Sequence, residues 1–446
     1  MDVKPLLITG GTVLTVNGQD ETIESGALLI EGTRIVDIGP ADVLGARYPA
    51  AERLDASGSV IMPGLVNLHM HSGLIRGTAE DLPVFEWLAK HVDPKHRALT
   101  EDLAHAAARL CYAEALLSGT TCVLDMYRFM HKCAVAADEL GLRAVLAPYV
   151  VDKPGMDWFE TLETNRRLVE ERNGTSEGRI HVWFALEHLT YNTEEAYRKA
   201  AELAAKYDTG IHTHGEESRD MAISLKLRTG RWPVELFHDR GILGPRTVLA
   251  HCVWLRREER ELLARTGTAV AHCPVSNLKL ASGIAPVKEL LEMGVTVGIG
   301  TDGVKENNNL DMLEEMKFVP LLQKARLLDA RVMPAETVIR MATIGGAKAL
   351  GLDREIGSLE VGKKADLIVI DFRKPHLTPV MGGKYNNAAS NVVYAATGAD
   401  VKHVFIDGRQ VVRDHRLVRA DVSEIIASGQ TAAERLFRLR EPFVPA

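Results

Sequence analysis

His69 and His71 stand one residue apart at the end of the apolar run "LVNLHMH". An extended strand sends alternate side chains to the same side, so both imidazoles face one way and Met70 the other. Two such imidazoles can converge on one metal ion; alone, they fit a pair of hydrogen-bonded core histidines equally well. Further along, His214 in "HTHGEES" and Asp302 in "GIGTDG" also end strand-like runs. Three nitrogens and a carboxylate oxygen, with room left for water, suit a catalytic Zn²⁺ or Fe²⁺ better than a closed structural site. A metal lowers the pKa of bound water toward neutrality and makes hydroxide available. Asp302 could then both ligate the ion and take the water proton. Glu217, three residues after His214, could carry a proton to a substrate ring nitrogen and later to the leaving group. Neighbouring Glu216 meets that spacing too. His251, in "LAHC", could hold the attacking water, or be a satisfied core histidine.

These residues need a frame that brings strand ends together. Apolar strand candidates recur at "GLVNLHMH", "TTCVLDM", "RAVLAPYVV", "IHVWFALEH", "TGIHTH", "TVLAHCV", "TAVAHC" and "VTVGIGTD", with helical stretches such as "TEEAYRKAAELAAKY" between them. Eight alternating units predict an α/β fold with a (β/α)8 barrel, whose usual length is roughly 250 residues. Its active site lies on the rim formed by the C-terminal strand ends. Asp125, Glu187, His188, His212 and His272 fall at these ends as well. His212 lies one pleat deeper than His214 and reads as a supporting or core group, as does His272.

Both chain ends look different. "LLITGGTVLTV", "GALLIEGTRIVDIG", "ADLIVIDF" and "VKHVFIDGRQVVRD" have the β-branched, turn-punctuated pattern of hairpins. Neither end can bury a face by itself, so the two are expected to join as one small β-sandwich. The expected division is 1–58 and 363–420 for the sandwich, 59–362 for the barrel, and a helix with tail over 421–446.

The bulk numbers narrow the function. In 446 residues the formal net charge is −7, which gives no basic footprint for nucleic acid. No apolar stretch approaches the roughly 20 residues of a membrane span, and "MDVKPLLITGG" has no signal-peptide pattern. Five cysteines without a CxxC spacing speak against a disulfide framework or thiolate zinc site and fit a reducing cytoplasm. The expected partner is a small molecule, not nucleic acid or a membrane.

Taken together, "MPGLVNLHMHSGL", "RGTAEDLPVFEWL", "HTHGEE", "LAHCV", "HCPVSNLKLASGIAPV", "GIGTDG" and "NNNLDMLEEMKF" resemble the amidohydrolase superfamily. The nearest branch holds cytosine-deaminase-like enzymes, S-adenosylhomocysteine and methylthioadenosine deaminases, and s-triazine hydrolases. The likeness runs nearly end to end, to "IGSLEVGKKADLIVID". It implies that His69, His71, His214 and Asp302 bind one divalent ion, Zn²⁺ first and Fe²⁺ second. It favours Glu217 over Glu216 as proton shuttle and makes His251 catalytic. It also places Glu86, Trp87 and His188 against the substrate.

Binuclear relatives carry a lysine at the end of strand four; "IHVWFALEHLT" has none, which favours one metal. Glu187 stands where the branch often has proline, and no arginine follows strand three before Glu160. Both imply a pocket altered from the adenosylhomocysteine type. The resemblance further implies a homo-oligomer, dimer or tetramer. The leading reading is a hydrolytic deaminase releasing ammonia from an amino-substituted N-heterocycle: purine, pyrimidine, pterin or triazine. A second keeps the site but displaces chloride or alkylamine from triazines, or cleaves a urea-type bond. A third, remote one is a non-enzymatic assembly protein of the same fold.

Overall fold

The computed structural model describes residues 4–82 and 84–445. The strands preceding the first histidine pair are β1 (Leu6–Leu14), β2 (Thr22–Glu31), β3 (Arg34–Pro40), β4 (Glu52–Asp55) and β5 (Ser59–Pro63). Next come β6 (Leu65–Met70), β7 (Thr120–Tyr127), β8 (Arg143–Pro148), β9 (Ile180–Val182), β10 (Phe184–Leu186), β11 (Ile211–Gly215), β12 (Thr247–His251), β13 (Ala269–His272) and β14 (Val297–Ile299). The chain then returns to β15 (Leu367–Asp371), β16 (Val401–Ile406), β17 (Arg409–Arg413) and β18 (Arg416–Leu417).

Two compact units result. One holds the described residues up to Val66, with Glu114–Cys122 and Asp311–Arg419; the other holds Asn67–Ala113, Val123–Leu310 and the chain from Ala420 onward. In the first, strands from both chain ends form a single nine-stranded sheet, ordered β18-β17-β16-β15-β5-β1-β2-β3, with β4 also on β1. Its hinge is β5, parallel to β1 and antiparallel to β15. Hydrogen bonding is therefore continuous across the strands of both chain ends. Ile8, Leu28, Ile61, Leu367, Val369 and Phe405 share one buried core across the strands of both ends.

The second unit is an α/β arrangement of parallel sheets ordered β6-β7-β8-β9 and β10-β11-β12-β13-β14. Every residue of β6, β7, β8, β11 and β12 is buried, as expected for parallel strands covered on both faces. The covering helices are amphipathic. In Glu194–Lys206 the side chains of Ala196, Tyr197, Ala200, Leu203 and Ala204 are buried on one face, and the Thr193 hydroxyl caps the first turn by accepting from the Ala196 N–H.

The run expected as strand four is divided at Trp183. Before it, β9 pairs with β8, and the Trp183 N–H itself donates to Leu146 O at 3.0 Å; after it, the Phe184 N–H donates to Gly210 O and β10 pairs with β11. Gly210 is required at this crossing, because a Cβ there would lie 2.3 Å from the Trp183 ring. At the far edge, the Asp302 N–H donates to His69 O at 2.9 Å, just beyond β14. Gly300 fits beside that strand only because a Cβ, which would come within 2.8 Å of the His69 backbone, is absent. The C-terminal helix Val422–Arg440 buries Ile425, Gly429, Ala432 and Leu436. Among the described residues no helix is long and apolar enough to cross a membrane, and none of the five cysteines is in a disulfide.

Candidate active site

Hydrogen bonds fix which nitrogen of each histidine is free. His212 donates from Nδ1 to the Val248 carbonyl (3.0 Å), so its Nε2 can only accept, and the His69 Nδ1–H is the donor to it at 2.8 Å. The His69 Nε2 lone pair is left bare, buried and without a partner. His71 Nδ1–H donates to Met126 O and His214 Nδ1–H to Glu187 O, each at 2.5 Å. Both again present a bare Nε2, and these two atoms face each other at 3.2 Å. Burial lowers the pKa of all three rings, those of His71 and His214 far below the usual value, so each is a neutral base.

Asp302 lies opposite. Its Oδ1 is 3.5 Å from His69 Nε2 and 3.4 Å from His71 Nε2, while Oδ2 is 3.8 Å from His251 Nε2. Burial alone would raise its pKa, but the imidazoles around it, His69 first, hold it well below the usual carboxylate range. The Ser276 hydroxyl and the Gly303 N–H donate to its two oxygens at 2.6 and 2.8 Å. His251 donates from Nδ1 to Asn277 Oδ1 at 3.0 Å, which aims its Nε2 at the cluster. His251 (φ 68°) and Asp302 (φ 62°) hold left-handed backbone conformations that cost a non-glycine residue about 1–3 kcal/mol each.

The donor set fits a cation. Ligating atoms of His69, His71 and His214 lie within 4.8 Å of one another, as do those of His69, His251 and Asp302. Neutral nitrogen lone pairs crowded together repel unless a positive charge stands between them, and three imidazoles with one carboxylate suit Zn²⁺ with an open position. His212 acts on the cluster through His69 and orients its ring. Replacing His212 by phenylalanine is expected to weaken zinc binding about 10- to 100-fold, measured by chelator competition.

A cavity opens beside this cluster, lined among others by Trp87, Tyr149, Glu187, His188, Glu217, Lys305 and Glu306. Gly215 ends β11, and a left-handed Glu216 (φ 43°) turns the chain. The turn leaves Glu217 on the cavity wall, whereas Glu216 is buried elsewhere, its pKa raised by burial and by Glu259. The Glu217 pKa is raised, chiefly by removal from water and also by Asp302, against His251 and Lys305. His188 Nδ1 accepts from the Thr190 N–H at 3.4 Å. The proton is therefore on Nε2, which is buried without a partner, and burial lowers the ring's pKa to about 3.

Trp87 reaches the cavity and donates its indole N–H to Ala79 O at 3.0 Å. Glu86 does not; it is exposed and paired with Lys90 at 2.6 Å. His272 is buried with neither ring nitrogen bonded and outside the lining. No arginine is among the described residues lining the cavity. Sequence reasoning gave no role to Lys305 and Glu306, an ion pair on this wall; its signal was two adjacent charges in the loop after Asp302.

Parallel strands thus carry a cluster of histidines and a carboxylate at their C-terminal ends, a candidate metal site. Residues 60–411 match the amidohydrolase family, and the chain belongs to it; a short match at 26–51 is to an imidazolonepropionase-like composite domain of bacteria. The chain is 43% identical to the 5-methylthioadenosine/S-adenosylhomocysteine deaminase of Syntrophobacter fumaroxidans, covering 94% of this chain and 96% of that protein. It is 40% identical to the 5'-deoxyadenosine deaminase of Methanothermobacter thermautotrophicus, covering 98% and 100%. A zinc-bound adenosine deaminase of Xanthomonas campestris superposes with a TM-score of 0.92 at 31% identity, covering 97% and 98%. The protein is accordingly a hydrolase of carbon–nitrogen bonds, of the deaminase kind.

Proposed function

We propose that the protein deaminates 6-aminopurine nucleosides of the adenosine type, using one divalent ion, Zn²⁺ first and Fe²⁺ second, held by His69, His71, His214 and Asp302. The observation that carries this is the convergence of three bare Nε2 lone pairs and one carboxylate beside Glu217. Deaminase relatives over nearly the whole chain support the choice of substrate.

A divalent ion held by His69, His71, His214 and Asp302 would lower the pKa of a water molecule toward neutrality. The residues do the remainder. Glu217, its pKa raised by burial, holds a proton that it delivers to the adjacent ring nitrogen as the water oxygen adds to carbon. Asp302 and His251 take one water proton and return it to the exocyclic nitrogen; the carbon–nitrogen bond breaks, ammonia leaves, and the proton of the new hydroxyl passes to Glu217 as the carbonyl forms, which restores the acid. His188 offers its Nε2–H to an acceptor on the heterocycle, and Trp87 supplies an apolar wall.

Within the same reading, the two parallel sheets are one closed (β/α)8 barrel. The hydrogen bonds at Trp183 and from Asp302 to His69 support closure at both seams. The terminal strands curl as a β-sandwich around their shared core, and the domain limits are 1–58, 59–362, 363–420 and 421–446. A cytoplasmic homo-oligomer, dimer or tetramer, completes the proposal.

The test is an ammonia-release assay on the zinc-loaded protein across adenine nucleosides, aminopyrimidines, pterins and triazines. One ammonia per nucleoside, with conversion of the adenine to the hypoxanthine chromophore, is expected. Chloride or alkylamine released from triazines, with no ammonia from nucleosides, would replace this reading by the displacement reaction.

A further inference from the structure

Glu187 is a residue of the cavity wall that the reaction above leaves unused. It is 7% exposed, and its Oε2 is buried without a partner. Its position is fixed on three sides. The backbone N–H donates to Val150 O at 3.0 Å, the carbonyl accepts from His214 Nδ1, and the Tyr149 hydroxyl donates to Oε1 at 3.0 Å. Tyr149 is itself stacked on Phe159, with ring centroids 5.3 Å apart and planes 18° apart. The carboxyl therefore reaches the cavity in one orientation, with one oxygen satisfied and the other not. A buried polar atom left unpaired costs about 1–3 kcal/mol, so it marks a place where a ligand group is missing.

We infer that Glu187 Oε2 binds a sugar hydroxyl of the substrate, with Tyr149 as the residue that positions it, and so selects ribosyl nucleosides over their deoxy analogues and the free base. The inference rests on the nucleoside reading. Glu217 and His188 meet two positions of the heterocycle, which leaves the sugar hydroxyls among the polar groups of a nucleoside still to be bound. A hydroxyl donates to a carboxylate and accepts from a carboxylic acid, so it satisfies Oε2 in either protonation state; a ring nitrogen could do only one.

The experiment measures kcat/KM for adenosine, 2′-deoxyadenosine, 3′-deoxyadenosine and adenine on the zinc-loaded wild type, Glu187→Ala, Glu187→Gln and Tyr149→Phe. The wild type is expected to prefer adenosine over at least one deoxynucleoside by about tenfold or more. In Glu187→Ala that ratio should fall to near unity, whatever the absolute loss, while Glu187→Gln keeps part of it and Tyr149→Phe lowers it. Equal losses on ribosyl and deoxy substrates, or a wild type with no such preference, would overturn the inference and leave deamination standing. A wild type that deaminates none of the nucleosides would overturn both.

Discussion

A Glu217→Gln protein should bind its metal as the wild type does and turn over at least about 100-fold more slowly, since general acid–base catalysis by a placed side chain contributes about 10²–10⁴-fold. The amide has nearly the shape of the carboxyl and can still hydrogen-bond to a ring nitrogen, so ground-state binding survives. What it cannot do is give up a proton and take one back. The loss should therefore fall on kcat and leave KM nearly unchanged. Metal content is part of the measurement, because Glu217 stands outside the groups whose ligating atoms cluster. Glu216→Gln supplies the contrast. Its carboxyl is buried toward Glu259, away from the cavity lining, and kcat should stay near wild type. A Glu217→Gln protein with full turnover and full metal content would remove Glu217 from the mechanism.

The site was legible in the sequence to the extent that strand periodicity reports it. His69 and His214 sit on strands and His71 directly follows one, where alternation decides which side chains share a side, and the structure brings the three together. His212, two residues before His214, was readable as a supporting group by the same alternation. Its task of accepting the His69 Nδ1–H was not, because that depends on the partner of its other nitrogen, a carbonyl on β12. Loop residues carry no such signal. Glu86 and Trp87 are neighbours in sequence, yet only Trp87 lines the cavity, while Lys305 and Glu306 reach it from a turn whose path no periodicity encodes. The terminal strands were legible as strands. Their continuity as one sheet depends on β5 pairing with β1 on one side and β15 on the other, a long-range choice that local patterns do not show.

The largest structural effect is expected at the first histidine pair. His69→Ala or His71→Ala should weaken zinc binding by at least about 100-fold, beyond what loss of a mere outer partner costs, and abolish turnover. The folded chain should survive. His69 is next to last in β6 and His71 directly follows it; the preceding residues of the strand are buried and apolar or hydrogen-bonded, so the strand does not depend on this pair. In the metal-free protein one of the two substitutions even removes a source of repulsion. His71 Nε2 and His214 Nε2 face each other as bare acceptors at 3.2 Å, and alanine at 71 relieves that crowding. At 69, alanine instead leaves His212 Nε2 without its donor, a loss of about 1–3 kcal/mol. Thermal unfolding with and without zinc separates these effects. The wild type should gain stability with zinc in proportion to the logarithm of its concentration over Kd. His71→Ala should show a metal-free Tm at or above that of the wild type with little zinc-induced rise, and His69→Ala a lower metal-free Tm with equally little rise. A full zinc-induced rise in both variants would refute the assignment of this pair as ligands.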